Sequence, residues 1–191
     1  MVAARLSWAT TVAERLAAAA GVPCPALRIG GVTGITRSSE GAVLVLCGES
    51  LCDRSDAALV GMVGHELGHL LAGHLDRPLT TRWRRFEYWA RRVRFEIEAN
   101  VFAVDLVGSD ALVQSYVEEI NAQLAALGHA RSLTGPEVLA GESRFIAAEL
   151  DQLAKVVGAV PSNRPGVVAD IVAGWERTNE MVSPTTSPIC R

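Results

Sequence analysis

Ser55-Asp56-Ala57-Ala58-Leu59-Val60-Gly61-Met62-Val63-Gly64-His65-Glu66-Leu67-Gly68-His69-Leu70-Leu71-Ala72-Gly73-His74 is an apolar run that opens on a helix cap and ends among histidines. Ser55 suits the cap, and Asp56 suits the positive end of the first turn. The pattern predicts a helix reaching about Leu75. His65 and His69 are four apart and differ by about 40° in direction on such a helix, so both imidazoles point the same way. Two neutral imidazoles are good zinc ligands. Glu66, beside the first, is placed to take a proton from a water that the ion has acidified. H-E-x-x-H inside a helix is the context this chemistry needs.

His74 falls five residues after His69. On a continuing helix it is turned about 180° from His65 and is expected to face away from the metal, as a surface or packing residue. The longer H-E-x-x-H-x-x-G-x-x-H pattern needs glycine at 72 and histidine at 75; Ala72 and Leu75 stand there.

The third ligand is expected on the following helix. Phe95-Glu96-Ile97-Glu98-Ala99-Asn100-Val101-Phe102-Ala103 offers two carboxylates about 200° apart on the wheel, so at most one faces the metal. Phe95, Ala99, Phe102 and Leu106 form the expected apolar stripe. Glu96 borders it. Glu98 falls with Arg91, Arg94 and Asp105 on the polar face, where Arg94 pairs with it at i,i+4. A carboxylate at the edge of a buried stripe needs a partner, and a metal supplies one. Glu96 is therefore the expected ligand, with an ion pair to Arg92 as its competing role. Asn100, one turn on, is placed to hydrogen-bond a histidine's other nitrogen.

The remaining sequence frames this motif. The chain has 191 residues, 49% of them hydrophobic and 20% charged, enough for one domain with its own core. That composition excludes disordered and collagen-like chains. A single domain is expected over 1–178, followed by a loose tail over 179–191 that carries Pro184 and Pro188. A first helix covers about Leu6 to Ala20 before Gly21, Pro23 and Pro25. Glu14 and Arg15 mark it as a helix rather than a signal peptide. Strands are expected near Leu27–Thr33 and Ala42–Cys47, with a turn over Arg37–Gly41. Further helices are expected near 82–107, 109–127, 136–157 and 167–178. The fold class is α+β, mostly helical, with a small sheet preceding the H-E-x-x-H helix. No apolar run approaches the roughly 20 residues of a membrane span, and the expected compartment is the cytoplasm. Cys24, Cys47, Cys52 and Cys190 form no Cys-x-x-Cys pair and are expected to be reduced thiols.

Between residues 77 and 94 seven arginines stand against one acid, Glu87, with Trp83, Phe86, Tyr88 and Trp89 interleaved. Such a segment suits either a docking surface for an acidic substrate or nucleic acid, or an amphipathic helix with a solvated basic face and an aromatic core face. The net charge of −3 favours the second, and nucleic acid is not an expected partner.

Ala57 to His74 together with Glu96-x-x-Ala99-Asn100-x-Phe102-Ala103 resembles the gluzincin metallopeptidases of the HtpX and CAAX prenyl protease type, whose small soluble members are the minigluzincins and whose pattern is H-E-x-x-H, a further histidine five residues on (His74 here), then Glu-x-x-Ala-Asp on the following helix. The resemblance covers about Ala42 to Gly108. It implies a zincin-like fold, one zinc ion held by His65, His69 and Glu96, and Glu66 as general base. It further implies a protein or peptide substrate, paired in extended form along an edge strand at Ala42–Cys47. Asn100 replaces that family's usual aspartate, and its membrane helices are missing. Asn163-Arg164-Pro165 stands where the family has Thr-His-Pro, which leaves Arg164, Tyr88 and His129 as candidates to stabilise an oxyanion. The chain is similar also to the ImmA/IrrE regulators, cytoplasmic proteases that cleave repressors and carry a Glu-Ala-Asn-x-Phe-Ala segment after H-E-x-x-H. The expected activity is thus zinc-dependent endopeptidase. A regulatory protease acting on a repressor, or a metal-binding interaction protein with little hydrolysis, are the alternatives.

Overall fold

The computed structural model describes residues 2–77, 85–130 and 132–139, and all their side chains except those of 85–91, 93 and 139. The expected helix beyond residue 139, the helix over 167–178, the domain limit at 178, the tail, Arg164 and Cys190 lie outside the described residues. So do residues 78–84 of the arginine-rich segment and the side chain of Tyr88.

The chain opens with helix α1 (Val2–Ala20), passes through β1 (Ala26–Gly30), β2 (Gly34–Ser38) and β3 (Gly41–Cys47), and continues as a short helix α2 (Gly48–Asp53). Among the described residues four more helices follow: α3 (Asp56–Leu71), α4 (Arg85–Val107), α5 (Ser109–Ala126) and α6 (Gly135–Leu139). A 3-10 turn at His74–Asp76 lies between α3 and α4. The class is α+β, mostly helical, with one three-stranded sheet among the described residues. Among the described residues no helix is long and apolar enough to cross a membrane.

The sheet corrects the sequence reading twice. Its order is β1-β3-β2, with β1 parallel and β2 antiparallel to β3. Ala42–Cys47 therefore belongs to the central strand, not to an edge. Its apolar run shows why: Leu44 and Leu46 are fully buried, and strands buried on a face and paired on both sides read as near-continuous hydrophobic runs. The second correction is β2 itself. Gly34-Ile35-Thr36-Arg37-Ser38 has one large apolar residue and no hydrophobic alternation, so it reads as loop and turn. Its pairing with β3 makes it a strand, closed by a tight turn where Ser38 Oγ accepts from the Glu40 amide at 3.2 Å.

Helix α3 is the axis of the core. Leu59, Val60, Val63 and Leu67 are fully buried against Leu16 of α1 and Leu44 and Leu46 of β3. Each such leucine or valine contributes about 1.5–3 kcal/mol of burial free energy. Arg5 ties α1 to the start of α3: it donates to the carbonyls of Leu51 (3.1 Å) and Arg54 (2.6 Å) and pairs with Asp56. Helix α4 presents Ala99, Ala103, Leu106 and Val107 inward, whereas Phe102 is 39% exposed. The buried stripe is thus rotated toward small residues. Gly68 gives the reason, since a Cβ there would sit 2.2 Å from the Ala99 carbonyl oxygen. Gly61 makes the same approach to α5 at Ala111. Close helix contact, rather than bulky side chains, sets the face of α4 that meets α3.

Candidate metal centre

Ser55 caps α3 as expected, its hydroxyl accepting from the Ala58 amide at 3.2 Å. The helix runs through the core and brings His65 and His69 to the surface of its last two turns, with side chains 14% and 15% exposed. The Gly68–Ala99 contact draws α4 against these turns, so Glu96 and Asn100, either side of Ala99, reach the histidines.

Three donor atoms converge. His65 Nε2 lies 3.2 Å from His69 Nε2, and Glu96 Oε2 lies 3.1 Å from the first and 3.4 Å from the second. Ligands about 2.0–2.1 Å from a tetrahedral ion are about 3.3 Å apart, so these edges fit one ion of zinc's size. The nitrogen, nitrogen, oxygen donor set suits several divalent transition metals, zinc among them. His65, His69 and Glu96 are the described group that can hold a metal ion.

The electrostatics agree with that grouping. Burial pulls the His65 imidazole down, but Glu96, Glu66 and the hydrogen bond to Asn100 outweigh it and push it up to about 9. Burial raises Glu96, yet the hydrogen bonds to His65 and His69 hold it well below the usual carboxylate range. Glu66 behaves differently. It is 9% exposed, and burial pushes its carboxyl above the usual range, against the pull of both histidines. The Ile35 backbone amide of β2 also pulls it back down.

Each histidine is held from behind, and by different groups. His65 Nδ1 donates to Asn100 Oδ1 at 2.8 Å, and Asn100 Nδ2 donates to the Tyr116 hydroxyl at 3.2 Å. The expected role of Asn100 is thus present, and α5 adds a tyrosine that no sequence pattern marked.

His69 is held by the residue expected to face away. His69 Nδ1 lies 2.8 Å from His74 Nδ1, and His74 Nε2 lies 3.0 Å from Glu98 Oε2. His74 is buried and stacks on Phe95 at a centroid distance of 4.0 Å. The expectation failed because α3 does not continue to Leu75. It ends at Leu71, and Gly73 adopts a left-handed conformation (φ 69°) that turns the next residue back toward the site. Glycine two residues past the last helical position was the signal available in the sequence. Burial pushes the His74 imidazole below its ordinary value, against the pull of Glu98. Glu98 pairs with Arg94 as expected (2.7 Å) and also with Arg77 (3.2 Å). Hydrogen bonds from His74 and Arg94 hold Glu98 down to about 2.

The centre opens into a cleft with two lobes that meet at Thr33, His65, Glu66, Arg92 and Glu96. One, about 590 Å³, runs along Gly34 to Arg37 of β2. The other, about 550 Å³, is bounded by Thr33, Arg54, Ser115 and Tyr116. His129, an expected oxyanion candidate, is exposed and lines neither lobe. Compared with protein-family models, with curated proteins and with solved structures, the chain matches none.

Proposed function

We propose that this chain is a zinc-dependent endopeptidase with a zincin-like fold, in which His65, His69 and Glu96 hold the zinc and Glu66 is the general base. The carrying observation is the near-equilateral triangle of two imidazole nitrogens and one carboxylate oxygen, with the buried carboxylate of Glu66 beside it. The resemblance to the HtpX and CAAX prenyl protease type adds support through the same residues.

Zinc at this site supplies Lewis-acid polarisation of a carbonyl oxygen and acidification of water. Glu66 accepts the proton of the attacking water on its carboxylate and delivers it to the departing amide nitrogen.

The substrate is an extended peptide lying along β2. In an antiparallel pair, alternate residues turn their amides and carbonyls away from the partner strand. β2 is paired on one side only, and Ile35 and, two residues on, Arg37 line the cleft on its free side. The Ile35 carbonyl and the Arg37 backbone are the groups a peptide strand pairs with.

The test is hydrolysis of unstructured protein and peptide libraries by zinc-loaded protein, read by mass spectrometry. Cleavage by the wild type that is lost in Glu66→Gln, with zinc retained, is expected. Zinc retained by a wild type that cleaves nothing favours the metal-binding interaction protein instead.

A further inference from the structure

We propose that His74 and Glu98 form a hydrogen-bond relay that fixes the ring orientation and tautomer of His69, making His74 a positioning residue for the metal centre. The inference rests on the reading of His65, His69 and Glu96 as zinc ligands and deepens it.

The protons can be placed from the acceptors. A carboxylate only accepts, so the 3.0 Å contact between His74 Nε2 and Glu98 Oε2 puts the proton on His74 Nε2. A neutral imidazole with its proton on Nε2 presents a lone pair at Nδ1. The 2.8 Å contact between the two Nδ1 atoms then has His69 as donor. With its proton on Nδ1, His69 directs the lone pair of Nε2 toward His65 Nε2 and Glu96 Oε2. Each link selects one tautomer of the next, and the last selects the ligand nitrogen.

The relay is built rather than incidental. Phe95 lies flat on the His74 ring, with 3° between the planes, and Arg77 covers Phe95 with its guanidinium 5.3 Å from the ring centroid. Arg77 and Arg94 both hold Glu98, fixing the carboxylate that ends the chain. Outer partners of metal-binding histidines commonly carry such a tautomer-setting role.

The experiment measures zinc affinity by chelator competition and the imidazole 15N shifts of His69 in zinc-loaded protein. The variants are His74→Phe and His74→Gln. Phenylalanine keeps the stack on Phe95 but has no nitrogen. Glutamine offers an amide oxygen to His69 and an amide N–H to Glu98. His74→Phe should lose about 10–100-fold in affinity and the single Nδ1-protonated signature of His69. His74→Gln should recover both in large part. Wild-type affinity and an unchanged His69 signature in His74→Phe overturn the relay while leaving the zinc site standing. Equal losses in both variants, with unchanged thermal stability, also overturn it, because the relay's donor and acceptor are present in one of them. A wild type that binds no zinc overturns the site itself, and the relay with it.

Discussion

The two sides of the candidate metal centre are built from different material. Behind His65 lie Asn100, 2% exposed, and Tyr116: neutral groups on α4 and α5, locked in place by helix packing. Behind His69 lie His74, Glu98, Arg77 and Arg94: a turn and a charged cluster whose outermost member is 73% exposed. The first side is held by the core and needs no charge. The second is held by hydrogen bonds that reach the solvent. Neutral buried contacts are insensitive to salt, whereas the outer charges are screened within a Debye length of about 10 Å at ordinary ionic strength. The difference predicts which changes damage the whole centre and which loosen only one ligand.

The largest effect should come from Gly68, where both sides meet. Gly68→Ala places a methyl against the Ala99 carbonyl and forces α4 away from α3. Overpacking of this kind costs about 1–3 kcal/mol, and backbone contact puts this case at the upper end. Thermal denaturation should show the loss, and zinc binding should fail with it. A stable, zinc-binding Gly68→Ala protein breaks the claim that close packing assembles the site.

Next comes the neutral side. Asn100→Ala removes the acceptor for His65 and should lower zinc affinity by about 10–100-fold, read by chelator competition. Asn100→Asp restores an acceptor and should recover affinity, so an aspartate variant as weak as the alanine one contradicts the assignment. A smaller effect is expected at Gly73. Gly73→Ala forces a side chain into a left-handed conformation, at about 1–2 kcal/mol, and displaces His74 without touching Asn100. The NMR signals of His69 should change while those of His65 persist.

The smallest effect belongs to the solvent edge. Arg94→Ala removes one exposed partner of Glu98, and exposed pairs contribute at most about 1 kcal/mol. Zinc affinity should shift by no more than about fivefold, and the difference should vanish in high salt. A larger, salt-independent loss would place Arg94 in the ligand shell rather than at its rim.

The same contrast explains what could be read from the sequence. The side built on regular helices was legible: four-residue spacing joined His65 to His69, the wheel chose Glu96 over Glu98, and one further turn gave Asn100. Such spacings depend only on helix geometry. His74 was misplaced because its position depends on where a helix stops, and Gly73 outweighed the apolar pattern that continues through Leu75. Strand β2 was missed because its order comes from pairing with β3 and not from its own residues. With it went the outward-facing edge and the Ile35 amide at Glu66. Tyr116 carries no local signal at all; only the approach of α5 to α4 makes it a partner of Asn100.

The central claim is that His65, His69 and Glu96, and not Glu98, hold the metal. Zinc content by elemental analysis on wild type, His65→Ala, Glu96→Ala and Glu98→Ala, each equilibrated with excess zinc, tests it most directly. The account predicts about one ion per chain in wild type and Glu98→Ala, the latter bound more weakly, and none in the other two. A metal-free wild type, or loss with Glu98→Ala and retention with Glu96→Ala, would contradict it.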